Sequence, residues 1–359
     1  VRRIFICAGG TGGHVYPALS LAWELSRRAG FDVWFVGTRR GMEGRLVPEA
    51  GFVLKYIRAR GWDRSWGKNF FRMASDNFCG FFQACALLLR YRPAGILCMG
   101  SYVSLLVACW ARLFRIPVFV HEQNVFPGLA NKMVSRWAQR VYISSEDSLD
   151  YLENRDTIYL TGNPLRPNVL GWKGRTEEAR KLLGLNSQRS TVLVFGGSRG
   201  SSLINHTFMK AWEELVHLNI QVIHVTGPEE ISRVKEFSRP FSGQYFVYDF
   251  LGEPGPAYAA ADVAVCRAGA STTFELLWFG LPAVMIPFEK ATESHQKYNA
   301  LWLKKKQSAE IICEEDLTPR TLAKAVRILL QGRRGEGGEL PGKAAEKIVD
   351  SIIEFFQKG

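Results

Sequence analysis

Short apolar, β-branched runs alternate with helix-period segments along most of the chain. The runs at 2–8 (RRIFICA), 32–37 (DVWFVG), 95–100 (GILCMG), 116–122 (IPVFVHE) and 140–145 (RVYISS) are nearly continuous in apolar residues, as strands buried on both faces must be. Between them, residues 17–30 (PALSLAWELSRRAG) repeat apolar positions at helical spacing and close on Arg-Arg-Ala-Gly, a helix-ending signal. A second series follows at 190–197 (STVLVFGG), 220–227 (IQVIHVTG), 245–251 (YFVYDFL), 262–269 (DVAVCRAG) and 281–288 (LPAVMIPF). Each series predicts its own doubly wound parallel sheet. The expected fold class is therefore α/β, with two Rossmann-like domains facing across a cleft. Both open alike, a strand running into GGTGGH in the first and into GGSRGS in the second. No period of 20–50 residues recurs, which excludes a solenoid.

A length of 359 residues suits two cores better than one. The segment 161–168 (TGNPLRPN), with two prolines and a glycine, is the expected hinge, and 329–342 (LLQGRRGEGGELPG) is a second loose stretch. These give an N-terminal domain over 1–162, a C-terminal domain over 163–340 and a terminal helix over 341–359 that packs back on the first domain. The seven cysteines stand singly, without a Cys-x-x-Cys pair, as expected for reduced thiols in a cytosolic compartment. Uncharged apolar stretches such as 102–111 (YVSLLVACWA) fall well short of the roughly 20 residues that span a bilayer. The net charge of +12 is uneven. Residues 1–165 carry 21 Lys/Arg against 12 Asp/Glu, a net of +9, and an anionic partner is expected for that half.

The first glycine loop is not a dinucleotide fingerprint. Counting G-x-G-x-x-G from Gly10 puts Val15 where the third glycine belongs, and the second strand ends in VGTRRG, without the ribose-binding acid. No Gly-Lys-Ser/Thr follows, so a P-loop is excluded as well. What remains is a set of backbone N–H groups at a positive helix end, which suits a diphosphate. His14 falls in the first turn of the following helix, where its imidazole makes it a candidate general base. In the second half, Ser198 in GGSRG and Ala270, Ser271 and Thr272 in GASTTFE sit at strand-to-helix turns of the same kind.

Taken in order, GGTGGHVYPALSLA (9–22), GSYVS (100–104), HEQN (121–124), GNPLR (162–166), GGSRGSSLIN (196–205) and CRAGASTTFE (266–275) resemble the MurG family of bacterial glycosyltransferases. The resemblance runs from residue 9 to about 300. It implies the two-domain glycosyltransferase-B fold. It also implies inverting, metal-independent and cofactor-free transfer of N-acetylglucosamine (GlcNAc) from UDP-GlcNAc to the C4 hydroxyl of the muramyl sugar of lipid I, giving lipid II for peptidoglycan synthesis.

Carried over residue by residue, the resemblance places Thr11, Gly12, Gly13, His14, Tyr102 and Asn124 at the acceptor. His14 and Glu122 are the candidate catalytic residues, with His14 ranked first as base; Glu122 either orients a neighbour or takes the proton. Donor contacts fall to Arg166, Ser198, Asn205, Phe250, Leu251, Ala270, Ser271, Thr272, Glu275, Gln296 and Asn299. Glu275 is expected on the ribose hydroxyls, Phe250 and Leu251 near the uracil, and Gln296 and Asn299 on the GlcNAc hydroxyls. Two positions depart from the family pattern, which usually has glutamine at both: His295 and Arg199.

The acceptor is lipid-linked, and residues 58–92 offer a route to it. Phe71, Ala74, Phe78, Phe81, Cys85 and Leu88 follow helical spacing and are expected to pack inward. Phe70, Phe82, Leu89, Trp62 and Trp66 widen the apolar surface. Residues 51–115 hold ten Lys/Arg against two Asp/Glu, so an apolar patch ringed by cations is expected over about 62–89 and 110–115, with Trp110, Arg112 and Arg115 on its rim. This predicts a peripheral protein on the inner, cytoplasmic face of the bacterial membrane. Nucleic acid is not an expected partner, because no recognisable nucleic-acid module accompanies these residues. The competing readings are a glycosyltransferase-B enzyme with a soluble acceptor and, in a different class, a basic nucleic-acid-binding protein.

Overall fold

The computed structural model describes all residues except 29, 62–67, 198–199, 289–294, 333 and 359. The chain divides between Arg166 and Pro167, and again between Gly342 and Lys343, so that 343–359 belongs with the first unit.

In the first unit the strands are β1 (Arg2–Cys7), β2 (Phe31–Gly37), β3 (Val53–Tyr56), β4 (Gly95–Cys98), β5 (Val118–Glu122), β6 (Arg140–Ile143) and β7 (Ile158–Leu160). Its helices are α1 (Gly12–Arg27), α2 (Glu43–Glu49), α3 (Lys68–Tyr91), α4 (Tyr102–Leu113) and α5 (Leu129–Ser135). All strand pairs are parallel, in the order β3-β2-β1-β4-β5-β6-β7. The order reverses between β1 and β4, so the loops leaving these two strands flank the crevice where open α/β sheets bind ligands. Those loops carry GGTGGH and GSYVS.

The second unit contains α6 (Pro167–Leu170), α7 (Thr176–Leu182), β8 (Ser190–Phe195), α8 (Ser202–Leu215), β9 (Ile220–Val225), α9 (Ile231–Ser238), β10 (Tyr245–Tyr248), α10 (Gly255–Ala260), β11 (Val263–Cys266), α11 (Ala270–Phe279), β12 (Ala283–Met285), α12 (His295–Lys306), β13 (Ala309–Ile311) and α13 (Pro319–Gln331). Its parallel sheet runs β10-β9-β8-β11-β12-β13, with the reversal between β8 and β11. GGSRGS leaves β8 and RAGAS leaves β11. Each unit thus presents two of the motifs at its own switch point.

The last helix, α14 (Ala344–Lys358), returns to the first sheet. Its Ile348, Val349 and Ile352 enter the core formed by Leu21, Leu25, Phe35 and Phe119. Polar ties fix its rotation: Arg28 pairs with Asp350, and Tyr142 Oη donates to Ser351 Oγ at 3.0 Å.

Helix α3 corrects the expected inward stripe. Met73, Gly80, Ala84 and Leu88 face the core. Phe71, Ala74 and Phe78 lie outside it, with Phe71 75% and Phe78 65% exposed. The cause is the chain between β3 and α3, which crosses the helix closely. A Cβ at Gly80 would stand 1.7 Å from the Arg58 carbonyl oxygen. Asn77 accepts from and donates to the Arg60 backbone, Arg58 N–H donates to Gln83 Oε1, and Arg60 pairs with Asp76. With Gly80 turned inward, the phenylalanines turn out. Phe78, Phe81, Phe82, Trp110 and Phe114 then form a continuous aromatic ridge over α3 and α4, with ring centroids 4.8–5.7 Å apart along it. Exposed Arg72, Arg112, Leu113 and Arg115 belong to the same two helices and the turn after α4. Trp62 and Trp66 lie outside the described residues.

Candidate active site

Thr11 caps α1 with extended backbone, and the His14 and Val15 N–H groups return to its carbonyl. The preceding Gly10 has φ of 95°, a left-handed conformation that glycine adopts without steric cost. Its N–H donates to Glu43 Oε2, while Glu43 Oε1 accepts from both the backbone N–H and the hydroxyl of Thr38. This fully buried acid, which the sequence did not single out, holds the curve of the glycine loop. Gly12 and Gly13 begin the helix, so their N–H groups have no intrahelical partner.

Half-buried His14 presents Nδ1 to Gln123 Oε1 at 3.0 Å. Gln123 Nε2 in turn lies 3.0 Å from His121 Nδ1, and His121 Nε2 lies 3.2 Å from the Gly162 carbonyl. Burial drives the His121 pKa down to about 4, the Gly162 hydrogen bond opposes that shift, and the nearby His14 adds to it. Gln123 was passed over inside HEQN. The signal was available: alternation along β5 and its continuation puts residues 121 and 123 on one side.

Glu122 is a correction. It is 2% exposed. Its Oε1 accepts from the Asn124 backbone and side-chain amides, and its Oε2 from Gly128 N–H and Asn131 Nδ2. Four donors occupy the four acceptor directions of a carboxylate, so Glu122 organises the 122–131 turn and is not placed to take a proton. Asn124 is half-buried within that turn. Tyr102 opens α4 and points its phenol at Thr38. Burial and the Glu43 charge raise its pKa, while the Thr38 hydrogen bond and the Arg60 charge lower it. Arg166, the last residue of the first unit before the chain enters the second, lies over the Tyr16 ring at 4.2 Å.

In the second unit, α11 begins at Ala270 behind Gly269, with no side-chain cap. Ser271 and Thr272 are half-buried in its first turn. Glu275, one turn on, is buried and accepts the Tyr258 hydroxyl at 2.7 Å. Phe250 is exposed and Leu251 half-buried after β10. Arg267, unassigned from sequence, binds Ser201 Oγ, Glu314 and the Ile286 carbonyl, tying the loops after β8, β11 and β12 together. Ser198 and Arg199 lie outside the described residues.

Two donor assignments need correction. Asn205 is fully buried; its Nδ2 donates to the Thr226 carbonyl and its Oδ1 meets His224 Nε2, so it holds the end of β9. Asn299 is 1% exposed and donates to the Ala268 carbonyl, while half-buried Gln296 accepts from Ala268 N–H and Phe288 N–H. Both anchor α12 against the loop that feeds α11. Among the described residues, no group of three or more His, Cys, Asp or Glu side chains is arranged to hold a metal ion.

Two doubly wound parallel units, each with anion-suited loops at its switch point, make a two-domain protein of the α/β class whose halves match glycosyltransferase domains. Residues 4–143 match the glycosyltransferase family 28 N-terminal domain and residues 191–349 its C-terminal domain. The chain is 35% identical to the UDP-N-acetylglucosamine–N-acetylmuramyl-(pentapeptide) pyrophosphoryl-undecaprenol N-acetylglucosamine transferase of Desulforamulus reducens, over 99% of this chain and 98% of that one. It is 36% identical to the protein of the same name from Pelobacter propionicus, over 98% and 99%. Among solved structures, Acinetobacter baumannii MurG superposes with a TM-score of 0.77 at 26% identity, covering 99% of this chain and 100% of that one. The chain belongs to the MurG family of glycosyltransferases.

Proposed function

We propose that this protein moves GlcNAc from UDP-GlcNAc to the muramyl C4 hydroxyl of lipid I, with inversion, to give lipid II for peptidoglycan synthesis. Identity of 35% and 36% over nearly the whole chain to relatives named as N-acetylmuramyl-(pentapeptide) pyrophosphoryl-undecaprenol N-acetylglucosamine transferases carries the reading. In the first unit, Thr11 and the N–H groups of Gly12 and Gly13 cradle the acceptor diphosphate, Tyr102 and Asn124 border the sugar, and His14 accepts the C4 hydroxyl proton as the oxygen attacks the anomeric carbon. In the second, the start of α11 with Ser271 and Thr272 stabilises the departing UDP diphosphate, without a metal. Glu275 accepts from the ribose hydroxyls, the 250–251 loop borders the uracil, and Gln296 reaches the donor sugar.

The aromatic ridge of α3 and α4 with its arginines suits an anionic leaflet, and no helix among the described residues is long and apolar enough to cross a membrane. We place the protein peripherally on the cytoplasmic face of the membrane, with no nucleic-acid partner. Incubation with UDP-GlcNAc and a short-chain lipid I analogue in EDTA is expected to yield UDP and a β-linked disaccharide. Transfer to a soluble sugar acceptor but not to the lipid I analogue would overturn this reading.

A further inference from the structure

We propose that Gln123 is a positioning residue that sets the tautomer of His14, keeping the proton on Nδ1 and the lone pair on Nε2. This rests on the reading of His14 as the general base. The direction of the chain of hydrogen bonds is fixed by two backbone carbonyls, which can only accept. The Gly162 carbonyl, 3.2 Å from His121 Nε2, requires a proton on that nitrogen. A neutral His121 therefore carries its lone pair on Nδ1, and burial, which holds its pKa near 4, keeps the ring neutral around pH 7.

The second carbonyl is that of His121 itself. Gln123 Nε2 lies 3.1 Å from it and 3.0 Å from His121 Nδ1. Both partners accept, so the NH2 end of the amide points at His121 and the oxygen end points at His14. Gln123 Oε1, 3.0 Å from His14 Nδ1, then requires a proton there. The ring nitrogen left for an acceptor hydroxyl is Nε2. Because His121 and Gln123 are fully buried, water does not compete for these bonds. The relay begins at Gly162, in the segment that closes the first unit, and ends at the helix start beside the glycine loop. It fixes one histidine nitrogen by the hydrogen bond made to the other, a common means of tautomer control.

The test reads the tautomer directly. In protein labelled with 15N-histidine, the His14 signals are assigned by their loss in His14→Ala. Wild-type protein near pH 8 is expected to show a protonated Nδ1 and a pyridine-type Nε2 at His14. Gln123→Met, similar in size but without the amide, is expected to move His14 toward the Nε2-protonated form. It should also lower kcat by about 10–100-fold with the KM for UDP-GlcNAc unchanged. A protonated Nε2 at His14 in the wild type overturns the proposal, and that spectrum decides even if Gln123→Met does not fold. A tautomer unaltered by Gln123→Met overturns it too. If the tautomer moves and kcat does not, the relay exists but His14 is not the base, so the positioning role falls with the general-base reading and the hydrogen-bond geometry stands.

Discussion

Glu122 and Glu43 are buried carboxylates that gather donors from the loops around them and so shape the surface of the site. Glu122 ties four donors of the 122–131 turn, and Glu43 ties Gly10 to Thr38. Replacing Glu122 with alanine leaves those donors without their acceptor, and a loss of about 3 kcal/mol in urea unfolding is expected. An unchanged midpoint would contradict the structural assignment. His14 is placed differently, half-buried at a helix start with one ring nitrogen held from behind. His14→Ala is expected to lower kcat by about 10²–10⁴-fold, with a stability loss of about 1–3 kcal/mol from leaving Gln123 Oε1 without its donor. Steady-state kinetics beside thermal melts would separate the two effects. At this scale the sequence marked short motifs that the fold places at the switch points, but within each it could not tell inward side chains from outward ones. HEQN contains a relay histidine, a turn-forming acid, a relay amide and a half-buried asparagine, and only β5 and the turn after it assign those places. Asn205 and Asn299 misled for the same reason.

Helix α3 shows where periodicity is informative and where it stops. The apolar spacing predicted a helix with a wide apolar surface, and α3 spans Lys68–Tyr91. Which stripe faces inward depended on Gly80, whose missing side chain admits the Arg58 carbonyl. Gly80→Ala is expected to destabilise the protein by about 2–3 kcal/mol, because backbone has to move; circular-dichroism melts would measure it. Phe78→Ser with Phe82→Ser removes exposed rings. It should change stability by no more than about 0.5 kcal/mol while weakening sedimentation with anionic vesicles at least tenfold. Equal sedimentation of wild type and double variant would refute the membrane role of the ridge. The strands left unread, β3, β7 and β13, are three or four residues long and sit at or near sheet edges. Such edge strands are only partly buried, so they lack the continuous apolar run that marks equally short inner strands such as β4, β11 and β12.

Across the whole molecule, each unit buries a neutral histidine in its sheet. Burial takes His121 to about 4 and His224 to about 3, against about 6.5 in an unfolded chain. Above pH 6.5 neither state binds the extra proton and the pair is without effect. As pH falls below 6.5, the unfolded chain gains protons that the folded chain excludes, so stability declines until the folded pKa values are reached. From pH 7 to pH 5 the two sites together should cost about 4 kcal/mol, read as a lower urea midpoint. A midpoint constant over that range would contradict the burial of both rings. The return of α14 is also a property of the whole molecule. Its apolar face is completed by the first sheet, more than 180 residues away in sequence.

The sequence alone determined the parallel sheets and the glycine turns at their ends. Continuous apolar runs, strand-to-helix breaks and glycine positions are local consequences of burial on two faces and of tight turns, and they survive without knowledge of neighbours. The tertiary structure decided what each polar side chain touches. Gln123 reads His14 across 109 positions of sequence, and His121 reads Gly162 across 41. Such bonds depend on strand order and register, which set two atoms within hydrogen-bonding distance, and no local pattern encodes that distance.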